Sequence, residues 1–195
     1  QDISGWTTTA LTNTSYMFYN AGAFNQDISD WDVSSVTSMS GMFKYNGSFN
    51  NGGAVLDWAD TSSVTTLYAM FTSATAFNQD ISGWDVSSVT TMVNMFYSAT
   101  AFNNGGLILD WGADTGSVNN MAGMFYNADA FNQDISGWDV SSVTNMSGMF
   151  ESNGGFNNGG VALDWADTSS VSNMSYVFYD ADAFNQDISD WDVSS

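Results

Sequence analysis

The sequence predicts a β/α solenoid, a stack of short coils with strands on one side and short helices on the other. Three observations point there. A 20-residue unit, FNQDISGWDVSSVTNMSGMF at 131–150, recurs from end to end, its copies follow one another at 25 or 28–29 residues, and apolar residues hold fixed places within each copy. Periods of about 20–50 residues mark stacked supersecondary units, each of which buries its apolar face only against its neighbours.

The Phe-Asn pairs begin at Phe24, Phe49, Phe77, Phe102, Phe131, Phe156 and Phe184, at intervals of 25, 28, 25, 29, 25 and 28 residues. Short units read FNQDIS(G/D)WDVSSV; long units read FNNGG, three apolar residues, then DW. The true period is therefore a pair of coils. The chain reads as one array over 1–195: a partial first coil at 1–23, six complete coils over 24–183 and a truncated coil at 184–195, the whole a window cut from a longer repeat protein. From the valine that opens each second half (Val36, Val64, Val89, Val118, Val143, Val171) to the next Phe-Asn is always 13 residues, while the first half runs 12 in short units and 15 or 16 in long ones. One part of the coil is geometrically fixed and the other accepts inserts.

Residues 1–23 keep the spacing of a short unit, with Thr7, Thr8 and Thr14 replacing the usual Asp, Val and Met. This more polar core suits a position near an end cap, and drift explains it equally well. In the first half of the clearest copy, Phe131, Ile135, Trp138 and Val140 make a β-like run, and the chain has no proline to interrupt a ladder. In its second half, Val143, Met146, Met149 and Phe150 fall at i, i+3, i+6 and i+7, a helical stripe. Ser141-Ser142 offers an N-cap, and Asn153-Gly154, like Asn46-Gly47, a left-handed C-cap. Stacked strands lie about 4.8 Å apart and packed helices about 8–10 Å, so such an array should curve with its strands concave. Small residues at one shared helix position, Gly41, Ala69, Gly123 and Gly148, could let the helices approach.

Lys plus Arg number 1 against 21 Asp plus Glu, for a formal net charge of −20. Such a surface repels phosphate backbones and anionic headgroups, which excludes nucleic acid as a partner and suits a saline or cation-rich setting. Apolar residues make up 44 % of the chain, too rich for disorder. No run approaches the ~18–20 apolar residues of a membrane span.

Phe-Asn-Gln-Asp-Ile-Ser, the Trp and Asp that follow, Val-Thr-x-Met and Met-Phe recur in that order along essentially the whole chain. This combination resembles the repeats of BspA-like bacterial surface proteins, a divergent leucine-rich-repeat family found also in lipoproteins and large adhesin-like proteins. The resemblance implies a leucine-rich-repeat-like solenoid exposed at a cell surface, and it brings no catalytic residue with it. The Asn-Gly-Gly of the long units (51–53, 104–106, 158–160) departs from that pattern and widens alternate coils.

Several columns carry candidate chemistry. The Asn of each Phe-Asn pair (Asn25, Asn50, Asn78, Asn103, Asn132, Asn157, Asn185) predicts a buried amide ladder that satisfies the turns of adjacent coils. Asp32, Asp60, Asp85, Asp114, Asp139 and Asp167 stand four residues before the opening Val, and Asp192 continues the series. These aspartates suit helix N-capping or Asx turns. The sharper reading is a divalent-cation column between coils, and calcium is the cation that accepts such oxygen ligands, although no known calcium-loop motif accompanies them. A second column, Asp27, Asp80, Asp134 and Asp187, is interrupted by Gly52, Gly105 and Gly159 in the long units. Trp31, Trp58, Trp84, Trp111, Trp138, Trp165 and Trp191 read as core, with an exposed sugar-stacking column as the alternative.

His and Cys are absent, and the carboxylates repeat in every coil, whereas catalysis needs one place with unlike environments. The expectation is therefore a non-enzymatic, extracellular structural or adhesive segment with no required cofactor. It would contact a glycan or protein of a host or neighbouring cell and could associate laterally into fibres; the alternative is a calcium-dependent glycan-binding module.

Overall fold

The fixed 13-residue half of each coil closes as a chain of three-residue turns. In the computed structural model, which describes residues 2–193, Met42 N donates to Met39 O, Lys44 N to Gly41 O, Asn46 N to Phe43 O and Phe49 N to Asn46 O. The alternate amides of Gly41, Phe43 and Tyr45 instead cross to the carbonyls of Tyr68, Met70 and Thr72 in the next coil. Successive donors of this stretch thus alternate between pointing back along their own coil and across to the neighbour, and the pattern recurs along the array. The ends of the partial first and truncated last coils, residues 1 and 194–195, lie outside the described residues.

Chained turns of this kind need a left-handed residue at regular places. These fall five and nine residues after the opening valine: Gly41 (φ 59°) and Tyr45 (60°), Ala69 (53°) and Ser73 (56°), Gly123 (60°) and Asn127 (50°), Gly148 (60°) and Ser152 (56°). The small residues expected to ease helix contact serve this conformation, which costs a residue with a Cβ about 1–2 kcal/mol and glycine almost nothing.

The expected strands and helices are both corrected. Among the described residues the regular elements are four 3₁₀ segments, Asn51–Gly53, Asn104–Gly106, Gly112–Ser117 and Asn158–Gly160. They are joined by a file of isolated parallel bridges, one residue per coil, through Asn13, Ser38, Thr66, Thr91, Asn120, Asn145 and Asn173. Among the described residues no sheet and no α-helix forms, so Ser141-Ser142 and Asn153-Gly154 have no helix to cap. The reason is spacing. Successive phenylalanines (Phe43, Phe71, Phe96, Phe125) stack with centroids 5.5–5.6 Å apart. That step is too short for neighbouring helices, which need about 8–10 Å. The stripe at i, i+3, i+6 and i+7 fits three-residue turns as well as it fits a helix, and Val143, Met146, Met149 and Phe150 are all fully buried in this form. The strand fails for another reason: the amides of the first half are taken up by local turns, as Trp138 N to Ile135 O and Ser136 N to Asp134 Oδ1, and by asparagine side chains of adjacent coils, as Ile135 N to Asn158 Oδ1, which leaves no backbone ladder there.

The core is a continuous aromatic and methionine stack. Where one coil passes into the next, Phe43 and Phe49 lie face to face at 3.7 Å and Phe96 and Phe102 at 3.8 Å. The second phenylalanine column continues at 5.8–6.0 Å through Phe49, Phe77, Phe102, Phe131 and Phe156. Buried Thr61, Thr115 and Thr168 of the long coils donate to Asp85, Asp139 and Asp192 carbonyls, at positions where short coils carry Val33, Val86 and Val140.

Candidate functional site

The asparagines of the Phe-Asn pairs form an unbroken rail. Asn50 N donates to Asn25 Oδ1, Asn78 N to Asn50 Oδ1, Asn103 N to Asn78 Oδ1, Asn132 N to Asn103 Oδ1, Asn157 N to Asn132 Oδ1 and Asn185 N to Asn157 Oδ1, at 2.8–3.1 Å. Asn25, Asn78 and Asn132 accept a second amide each, from Gly52, Gly105 and Gly159. The rail is not buried, as the sequence had suggested: its residues are half-buried or exposed. A flat side-chain amide beside the backbone can bridge coils at the surface, where water solvates its outer edge.

The buried amides are the next residues of the long coils, Asn51, Asn104 and Asn158, which sequence reasoning left inside the inserts. Each is 0 % exposed. Asn104 Oδ1 accepts Ile81 N at 2.9 Å, and its Nδ2 donates to Leu107 O, Ile108 O and Asp80 Oδ1 at 3.1–3.2 Å. Asn51 grips Ile28, Ala54 and Val55 in the same way, and Asn158 grips Ile135, Val161 and Ala162. The signal available in the sequence was the doubled Asn before Gly-Gly in every long unit. Gly52, Gly105 and Gly159 follow in the left-handed region (φ 63–64°), and a Cβ on Gly52 would approach the Asp27 backbone N to 3.3 Å.

These clamps hold the insert tips outward. Val55 is 53 % exposed, Leu107 56 %, Ile108 64 % and Val161 45 %, whereas Leu56, Leu109 and Leu163 at the ends of the same inserts are fully buried. The result is a ridge of aliphatic knobs at every second coil, with exposed Asp57, Asp110 and Asp164 beside it.

The aspartate column is organised locally. Asp32 Oδ1 accepts the amide and hydroxyl of Ser34 at 3.0 and 2.6 Å. Asp60 with Ser62, Asp85 with Ser87, Asp139 with Ser141 and Asp167 with Ser169 repeat this Asx turn. The serine hydroxyl, then the serine amide, holds the Asp32, Asp60, Asp139 and Asp167 carboxyls below the ordinary range. Asp114 stands instead in the first turn of the 3₁₀ segment Gly112–Ser117, and the Asp192 amide donates to Thr168 Oγ1. Among the described residues no three carboxylates converge as a metal centre would require.

The tryptophans are interior. Each indole N–H of Trp31, Trp58, Trp84, Trp111, Trp138, Trp165 and Trp191 donates to a carbonyl of the preceding coil, in turn Ile3, Ile28, Leu56, Ile81, Leu109, Ile135 and Leu163, at 2.8–3.3 Å. All seven are buried, so this column offers no ring face to a sugar.

The chain matches, over residues 1–111 and again over 107–195, the family described as "Mycoplasma protein of unknown function, DUF285", and it belongs to that family. No curated protein and no solved structure matches it. Membership carries the repeat-family part of the resemblance drawn from the sequence, and nothing in the match is specific to BspA-like surface proteins.

Proposed function

We propose that this member of the DUF285 family is a non-catalytic structural and adhesive array at a cell surface, and that the ridge of insert tips is its contact surface. The observation that carries this reading is the outward placement of Val55, Leu107, Ile108 and Val161 on loops clamped by Asn51, Asn104 and Asn158. Loops held in one conformation lose little entropy on binding, so modest apolar contacts become useful. Their recurrence at every second coil multiplies weak contacts into avidity, with strength set by copy number. Aliphatic knobs favour an apolar protein surface over a glycan. The charge of −20 disfavours nucleic acid and anionic lipid.

The test replaces Val55, Leu107, Ile108 and Val161 by serine together. All four are exposed, so melting should change little. Beads coated with the unaltered chain should cluster with one another or adhere to extracellular matrix and host-cell surface proteins; beads coated with the variant should do neither. Adhesion undiminished by the four substitutions removes the ridge as the contact surface, and no adhesion by the unaltered chain removes the adhesive reading itself.

A further inference from the structure

In a repeat array, structural residues recur in every coil, so a cluster that occurs once needs its own reason. The column eight residues after the opening valine runs Tyr19, Lys44, Thr72, Tyr97, Tyr126, Glu151 and Tyr179. Tyr97 and Tyr126 stack in parallel there, with centroids 4.2 Å apart and planes 2° apart. Ring stacking stops at Tyr126, and the next step of the column holds Glu151, the chain's single glutamate.

Beside this break lies a surface trough. Its floor is Gly123 and Gly148, in a column that runs Tyr16, Gly41, Ala69, Asn94, Gly123, Gly148 and Tyr176 and holds two successive glycines only here. Asn94 closes one end and Tyr176, 64 % exposed, the other. A Cβ at Gly148 would come within 2.8 Å of Glu151 Oε2, so the carboxylate lies directly over the glycine floor. Glu151 also acts on the ring pair: the Tyr97 hydroxyl is pushed above its ordinary range first by burial, then by its hydrogen bond to Tyr126, and then by nearby negative charge that includes Glu151.

We propose that this trough is a binding site for an organic ammonium group, seated between Tyr126 and Tyr176 and countered by Glu151. Aromatic faces carry the negative end of the ring quadrupole, and tyrosines grouped around a carboxylate suit methylated ammonium ions in particular. No cationic side chain lines the trough to compete. The same face already shows the contact in miniature, since Lys44 Nζ lies 5.1 Å from the centroid of the Tyr45 ring. Asn94 Oδ1 stands over Gly123 and Glu151 Oε2 over Gly148, so the glycines bring these two oxygens down into the trough, where they can face a cation. A protein of net charge −20 also draws such cations to its surface.

Choline chloride titrated into the intact chain at constant ionic strength, followed by nuclear magnetic resonance of the tyrosine ring protons, tests the site. Saturable shifts should be confined to Tyr97, Tyr126 and Tyr176. The uncharged isostere 3,3-dimethylbutan-1-ol should bind about two- to fivefold more weakly, since a cation over an exposed ring face contributes roughly that factor. Glu151→Gln and Tyr176→Ala should each weaken choline severalfold, Tyr126→Phe should bind nearly as the unaltered chain does, and Tyr45→Ala should have no effect. Absence of saturable shifts, equal binding of the isostere, glucose binding in place of choline, or indifference to both Glu151→Gln and Tyr176→Ala overturns the proposal. Tyr176 and Glu151 lie at the surface, so these two variants keep the test valid even if Tyr126 proves needed for folding.

Discussion

The buried Asn104 separates the roles of the two asparagine columns. Replacing it with alanine leaves the Ile81 amide, on a residue 1 % exposed, without its 2.9 Å acceptor. An orphaned buried donor costs about 1–3 kcal/mol. The carbonyls of exposed Leu107 and Ile108 lose Nδ2 but can rehydrate, so their two bonds together contribute about 1–2 kcal/mol net. Asn104 also sits at φ 52°, where alanine adds about 1 kcal/mol of backbone strain. Asn104→Ala should therefore lose about 3–6 kcal/mol. Asn104→Gly, which removes the same amide without that strain, should lose about 1 kcal/mol less. Asn103→Ala removes acceptors for Asn132 N and Gln133 Nε2, but at a half-buried site where water replaces them, so about 1 kcal/mol is expected. Urea midpoints from tryptophan fluorescence measure all three, and limited proteolysis of the 104–109 insert reports whether the tip is released. An equal cost for Asn103→Ala and Asn104→Ala would refute the assignment of the clamp to the buried column, and a glycine variant less stable than the alanine one would refute the strain argument.

Other expectations are as direct. Both polar atoms of the Asn46 side chain are buried without a hydrogen-bond partner, at a column position filled by buried Ala74, Ala99 and Ala128 and by Asn153, whose amide is bonded to Phe125 O and Phe156 N. Asn46→Ala should therefore raise stability by about 1–2 kcal/mol, and a lower thermal midpoint would show that the amide is satisfied after all. Asp32, Asp60, Asp139 and Asp167 have folded-state pKa values depressed by their serines, so their contribution is present above the ordinary carboxylate pKa and is lost as pH falls through the lower folded value. Thermal midpoints should drop below about pH 4; a midpoint that rises throughout acidification would mean that relief of charge repulsion outweighs the Asx turns. With these carboxylates engaged by serine, calcium should stabilise no more than sodium at matched ionic strength, and a calcium-specific rise in melting temperature would restore the cation column.

The repeat, the pairing of short and long coils and the interior columns were legible because stacking forces the same residue types into the same places. Val143, Met146, Met149, Phe150 and Trp138 are all buried as their periodicity required. The secondary structure was misread because apolar positions at i, i+3, i+6 and i+7 do not distinguish a helix from linked three-residue turns. Two further facts could have decided it. A strand-like step on one side of a coil cannot coexist with helices on the other without strong curvature. The ninth position after each valine is Tyr45, Ser73, Ser98, Asn127, Ser152 or Asp180, a set in which Asn, Asp and Ser predominate, and the first two of these tolerate left-handed backbone readily.

The same logic shows why the trough was harder to find than the ridge, whose inserts stand out in the sequence as the variable part of every long coil. Interior columns are constrained by the 5.5–5.8 Å step of the phenylalanine stack, so departures from the repeat are costly there. Exterior columns carry no such constraint, and the column of Tyr19, Lys44, Thr72, Tyr97, Tyr126, Glu151 and Tyr179 changes chemistry almost at every step. Read along one coil these residues are unremarked surface. Only stacking brings Tyr126, Glu151 and Tyr176, each 25 residues from the next, around one glycine floor. The ridge lies between these extremes, since it obeys a period of two coils and not one. Its buried Asn104 belongs to the constrained interior while Leu107 and Ile108, held by that amide, belong to the free exterior. An insert so divided can vary its tip without disturbing the stack beneath it, which is the condition a repeated contact surface needs.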